Sequence, residues 1–142
     1  MVTINPYLNF PGNTEEAFNF YRSIFGGEFA GLTRFKDTQD GSKLNAKEKE
    51  MLMHISLPVG KGNTLMATDA LESMGHKLNT GNNFSLSVET ESKEEADKIF
   101  KGLSKGGKIT MPQAETFWGS YFGMVNDKFG IQWMVGYTPK QS

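Results

Sequence analysis

Two histidines and one glutamate are the residues whose types suit acid–base chemistry. His54 lies inside Leu52-Met53-His54-Ile55-Ser56, where strand alternation puts it on one face with Leu52 and Ser56. An imidazole there titrates near neutrality and fits a general base, and it equally fits a hydrogen-bonded structural histidine. His76 sits in the glycine-bearing loop Ser73-Met74-Gly75-His76 and reads as solvated. Glu115 comes just before Phe117-Trp118. A carboxyl held against such rings is pushed toward its neutral form; an exposed loop glutamate is the plain alternative. Phe117 and Trp118 suit a lid over a planar ligand, or an aromatic anchor between subunits. Asp69 ends an apolar run and fits a cap for the turn that follows. The chain has no cysteine, which excludes thiolate nucleophiles, thiolate metal sites and disulfides and agrees with a reducing compartment. Gly60-x-Gly62 lies between two strand patterns rather than ahead of a helix, the wrong context for a phosphate loop. No motif calls for a cofactor.

The elements that must position these residues are legible from periodicity. The chain's 142 residues suit a single domain spanning 1–142. Fifteen Lys and Arg against sixteen Asp and Glu give a net charge of −1, with no electrostatic footprint for nucleic acid or an anionic membrane. No apolar run approaches the roughly 18 residues of a transmembrane helix. Met1-Val2-Thr3-Ile4-Asn5 enters a strand pattern without the basic-then-apolar character of a signal peptide. The expectation is a cytoplasmic protein with neither nucleic acid nor membrane as partner.

Thr3 to Phe10 reads as a strand. Asn13 is placed to cap a helix, with Glu16 at the capping-box position. Ala17, Phe18, Tyr21, Ile24 and Phe25 form one helical stripe, and Gly26-Gly27 ends it. Glu28 to Lys36 reads as a strand, and the polar, aperiodic residues 37–50 as an exposed, mobile loop. Met51 to Val59 and Asn63 to Asp69 form a hairpin around Gly60-Lys61-Gly62. Residues 70–82 connect to a second round. There Asn83 to Glu89 is a strand, and Ser92 with Glu95 caps a helix carrying Ala96, Ile99, Phe100 and Leu103. Gly106-Gly107 stops it. Lys108 to Met111 is a short strand and Pro112 to Ser120 a loop. A last hairpin joins Tyr121 to Asp127 with Ile131 to Tyr137. The helix caps recur 79 residues apart, the glycine stops 80, and Met66 and Met134 in the hairpins 68. The fold class is α+β: two βαβββ repeats, about 1–70 and 82–138, with curved mixed sheets around a cup and helices on the outer face.

Alternation then sorts the faces. Pro6, Leu8, Phe10, Leu65, Ala67, Phe84, Leu86, Val88, Ile131, Trp133 and Val135 go to the helix side. Asn5, Tyr7, Asn9, Thr64, Met66, Thr68, Asn83, Ser85, Ser87, Gln132 and Met134 go to the other. That second set lines a small-molecule cavity, or else is only the solvated side of half-buried sheets.

A family resemblance rests on particular runs. These are Pro6-Tyr7-Leu8-Asn9-Phe10 with Gly12, then Glu16-Ala17-Phe18, Phe20-Tyr21, Phe25-Gly26-Gly27-Glu28, Met53-His54 and Asp69-Ala70. The C-terminal part adds Glu115-Thr116-Phe117-Trp118-Gly119, Phe122-Gly123 and Asp127-Lys128-Phe129-Gly130-Ile131-Gln132-Trp133-Met134. Together they resemble the PhnB-like branch of the vicinal-oxygen-chelate superfamily, which includes glyoxalase I, extradiol dioxygenases and bleomycin- and fosfomycin-resistance proteins. The resemblance implies a homodimer. It also implies metal ligands, in members that use a divalent ion, on the first and last strands of each repeat. Those positions correspond here to Asn5, Asn83, Met66 and Met134, two amides and two thioethers that suit a hard dication poorly; no metal site is expected. Some relatives carry a ubiquinone-methyltransferase label, but nothing here is similar to a glycine-rich nucleotide turn.

The reading is therefore a small-molecule-binding, PhnB-like protein that has lost the divalent-metal site. Its ligand, of unknown identity, would meet Asn5, Tyr7, Met66, Asn83 and Met134 under Phe117 and Trp118. The alternative is a lyase, dioxygenase or transferase acting on a small oxygenated substrate, metal-dependent or using His54 or Glu115 as acid–base.

Overall fold

The computed structural model describes residues 2–140, apart from the side chain of Asp40. The chain divides into two compact units, Met1–Asn79 and Thr80–Ser142. Each is built on one four-stranded mixed sheet with a helix against one face.

The first unit runs β1 (Tyr7–Phe10), α1 (Thr14–Phe25), β2 (Gly31–Arg34), β3 (Leu52–Val59) and β4 (Asn63–Asp69). Its sheet order is β1-β4-β3-β2, with β1 parallel to β4 and the other pairs antiparallel. The second unit runs β5 (Leu86–Thr90), α3 (Lys93–Ser104), β6 (Lys108–Glu115), β7 (Tyr121–Asn126) and β8 (Gln132–Tyr137). Its order, β5-β8-β7-β6, has the same parallel and antiparallel pairings. The repeat seen in the sequence is thus a repeat of topology.

Helix α1 buries Ala17, Phe18 and Tyr21 against β3 and β4, where Leu8, Phe10, Ile55, Leu57, Leu65 and Ala67 are also buried. Fully burying one such large apolar side chain stabilises the unit by about 1.5–3 kcal/mol. In the second unit Ala96, Phe100 and Leu103 of α3 meet Val125, Trp133 and Val135. Both helices stop where glycine takes a positive φ, +79° at Gly26 and +73° at Gly106.

Several expectations are corrected. Asn13 occupies the cap position of α1 but makes no capping hydrogen bond. The cap comes from the far end of the sheet: Asp69 Oδ1 accepts from the Thr14 backbone N–H at 3.0 Å and from Thr14 Oγ1 at 2.6 Å. Asp69 Oδ2 accepts from Leu52 N–H at 2.8 Å. Asp69 therefore caps the preceding helix, where orphan N–H groups and the helix dipole favour an anion, rather than the turn after it. Ser92 does cap α3, accepting from Glu95 N–H, but the Glu95 carboxylate accepts from Glu91 N–H, so the reciprocal box is not formed.

Residues 37–50 are not a featureless loop. They carry 3-10 turns and the short helix α2 (Ala46–Lys49), closed by a full capping box between Asn45 and Glu48. Strand β2 is shorter than expected, because the chain turns into a 3-10 helix at Phe35. Strand β6 is longer, continuing through Pro112 to Glu115 with two register shifts, as an edge strand with a bulge can accommodate proline. Strand β5 begins at Leu86, leaving Asn83 and Phe84 outside it. No helix among the described residues is long and apolar enough to cross a membrane.

Candidate functional site

The face of the first sheet turned away from α1 holds the side chains assigned to it by alternation. Leu8 and Phe10 are buried while Tyr7 and Asn9 are exposed, and along β4 Leu65, Ala67 and Asp69 are buried while Thr64, Met66 and Thr68 are only half-covered. Register sets these residues in two rows across the four strands. Tyr7 pairs with Met66, Met66 with Ser56, and Ser56 with Gly31; Asn9 pairs with Thr68 on one side of the sheet, and His54 with Thr33 on the other.

Between the rows, Tyr7 and His54 meet: the Tyr7 Oη lies 3.1 Å from His54 Nδ1, with the ring centroids 5.7 Å apart. Partial burial raises the Tyr7 pKa above its usual value, so the phenol keeps its proton at neutral pH. A phenol donates more readily than it accepts, which makes Nδ1 the acceptor and puts the proton of a neutral His54 on Nε2. The pair thus offers an N–H donor beside the hydroxyls of Thr33, Ser56 and Thr68 and the thioether of Met66. No carboxylate belongs to either row, so a neutral ligand with an oxygen acceptor meets no like-charge penalty there. His54 is kept on this face by a β-bulge: Thr33 pairs with His54 but Arg34 with Leu52. The bulge inserts Met53 and turns Leu52, expected on the His54 face, into the core, where it is fully buried.

The other candidate residues are spread more widely. Asn5 is a strand extension: its Oδ1 accepts from Thr64 N–H at 3.0 Å. Asn83 is exposed and lies outside β5. Register also corrects the equivalence of these two amides. Tyr7 pairs with Met66, and Ser87 with Met134, so Tyr7 corresponds to Ser87 and Asn5 to Ser85. The slip arises because repeat one has one more residue between strand and helix cap. Met134 stands on the helix-free face of the second sheet between Ser87 and Met124. Phe117 and Trp118 stack edge to face in the β6–β7 turn, 97% and 54% exposed.

His76 is exposed, as expected. Glu115 is an exposed surface glutamate paired with Lys93, not a carboxyl in an apolar pocket. The Tyr7–His54 pairing was missed in the sequence, since it depends on which strands are neighbours; only their shared parity was visible there.

The donor set does not suit a hard divalent ion. Of the four implied positions, Asn5 spends its amide oxygen on a backbone N–H, Asn83 lies off the strand, and the remaining two offer thioethers. Among the described residues no group of three His, Cys, Asp or Glu side chains is arranged to hold a metal.

Comparison with known proteins places this arrangement. The family model described as 3-demethylubiquinone-9 3-methyltransferase matches residues 2–136. The chain belongs to this family, the PhnB-like one. Protein PA1353 from Pseudomonas aeruginosa is 36% identical over 99% of this chain and 100% of its own, with a TM-score of 0.86. The PhnB protein from Bacillus cereus, titled a putative 3-demethylubiquinone-9 3-methyltransferase, is 28% identical over 96% of this chain and 100% of its own, with a TM-score of 0.77. A glyoxalase/bleomycin resistance protein/dioxygenase family enzyme from Burkholderia phytofirmans shares the fold alone, at 18% identity over 94% of this chain and 97% of its own and a TM-score of 0.62. The PhnB-like chain is thus α+β with two four-stranded mixed sheets, as its glyoxalase-like neighbours are.

Proposed function

We propose that this PhnB-like protein binds a small, neutral organic molecule on the helix-free face of its first sheet, without a divalent metal. The observation that carries the reading is the Tyr7–His54 hydrogen bond on an uncharged face. It aims an imidazole N–H at an acceptor such as a carbonyl oxygen, while Met66 offers a soft apolar contact. Fit, rather than charge, then selects the ligand. The exposed Phe117–Trp118 pair supplies a stacking surface in the second unit, where Met134 lines the corresponding sheet face. Asn5 and Asn83 drop out of the proposed lining for the reasons given above.

Two finer expectations belong to the same proposal. Exposed Val2, Ile4, Ile109 and Phe117 favour a homodimer, which light scattering would detect as twice the chain mass. A chain without cysteine favours a cytoplasmic location.

An enzyme is the second reading, and the tautomer shapes it. With Nε2 protonated, neutral His54 suits polarising a carbonyl better than abstracting a proton. Methyl transfer, the activity in the family description, has less support. The β1–α1 connection, Pro11-Gly12-Asn13, holds one glycine and the β5–α3 connection none, so neither forms a glycine-rich nucleotide turn.

The test is a thermal-shift screen of neutral carbonyl-bearing compounds against the wild type, His54→Gln and Tyr7→Phe. Compounds that stabilise the wild type and lose the effect in both variants support the site. Stabilisation unchanged in both variants overturns it.

A further inference from the structure

On the second sheet three methionines stand side by side across adjacent strands. Met111 of β6 pairs with Met124 of β7, and Met124 pairs with Met134 of β8. Residues directly opposed across a ladder share a face. Met124 and Met134 alternate with Val125, Trp133 and Val135, which are buried on the α3 side. The row therefore lies on the face turned away from the helix. Register shifts on both sides of Met111, after Ile109 and before Ala114, bring it into line. Met111 is 41% exposed, and Met124 and Met134 are half-buried, so solvent reaches the row. The fourth place, on β5, is the uncharged Ser87.

We propose that Met111, Met124 and Met134 form a binding site for a soft monovalent cation, Cu(I) or its redox-inert counterpart Ag(I). Opposed side chains in such a row start about 5 Å apart at Cβ. Methionine has three rotatable side-chain bonds, so the outer two sulfurs can lean toward a common point above Met124. Thioethers select Cu(I) over hard ions, and three neutral donors leave only a single charge to accommodate at a half-exposed site. The nearest carboxylate on this face, Glu89, stands in the next row opposite Gly136, and its Oε1 accepts from Thr138 N–H. It leaves the row without a competing hard ligand. This site is separate from the one on the first sheet and does not depend on it.

The test is an anaerobic titration of the full chain with Ag(I), read by the methionine methyl signals in NMR. One equivalent should bind, moving the Met111, Met124 and Met134 signals together while Met53, Met66 and Met74 stay in place. Met124→Leu, which keeps the apolar volume, should weaken binding by at least about tenfold; Met111→Leu on the exposed edge strand should do the same with the fold intact. Zn(II) should move none of the three signals. Absence of a saturable shift, shifts spread evenly over the other methionines, wild-type affinity in Met111→Leu, or Zn(II) occupying the row would each overturn the proposal.

Discussion

Tyr7 and His54, 47 residues apart in the chain, are joined by a 3.1 Å hydrogen bond across the helix-free face of the first sheet. Neither residue lies in the other's strand, and β4 runs between them. The contact therefore exists only because the parallel β1–β4 pairing and the β3 bulge both hold.

The first prediction concerns this bond. At mildly alkaline pH, nitrogen NMR of the wild type should find His54 as the Nε2–H tautomer. In Tyr7→Phe the phenol's proton is gone, and the two tautomers should become mixed. An Nδ1–H tautomer in the wild type would reverse the donor and acceptor assigned here.

Asp69→Asn should cost about 2–3 kcal/mol. The amide keeps one acceptor, but its NH2 group faces either Leu52 N–H or the Thr14 donors, and one buried donor loses its partner. A fall of about 5–10 °C in the unfolding midpoint is expected. A midpoint equal to that of the wild type would mean that α1 is capped some other way.

Acid stability should depend on Glu15. Its side chain receives a two-pronged hydrogen bond from Arg34, at 3.0 and 2.8 Å, and the bonded guanidinium holds the carboxyl below its usual pKa. In this window the unfolded chain binds more protons than the folded one, so stability rises with pH. The contribution is complete above the ordinary carboxylate pKa and is lost as pH falls through the lowered one. Glu15→Gln should be less stable than the wild type near neutrality, and the gap should close on acidification. The pair is partly exposed, so the gap should be small and shrink with salt. A constant difference at every pH would contradict the linkage.

Divalent ions should leave stability unchanged. A native-state site at a hundredfold excess over its Kd would add about 2.7 kcal/mol, a rise of about 5 °C or more. Melting curves with Mg2+, Mn2+, Ni2+ and Zn2+ check this, and a clear rise with any of them would restore the metal reading.

Local signals carried most of the fold. Strand β4 and the start of α3 at Ser92 follow directly from alternation and capping, and the glycine stops and the doubled hairpin reveal the repeat. Parity also sorted Tyr7, Met66 and Met134 onto the correct faces. What escaped depends on contacts between distant residues. The Asp69 cap on Thr14 spans 55 residues, and nothing near Asn13 reports that its own side chain is left out. Bulges are equally hidden, since one inserted residue at Met53 or around Met111 reverses parity without changing composition. The Asn5–Asn83 equivalence failed for a related reason: only the pairing of Ser87 with Met134 reveals the one-residue difference in loop length.

The most direct test of the central claim is chemical-shift mapping of the labelled protein with the strongest compound from the thermal-shift screen. The account predicts saturable shifts concentrated on Tyr7, Asn9, Thr33, His54, Ser56, Met66 and Thr68, and their loss in the Tyr7→Phe/His54→Gln double variant. Binding that leaves this face unmoved, or that persists in the double variant, would contradict it.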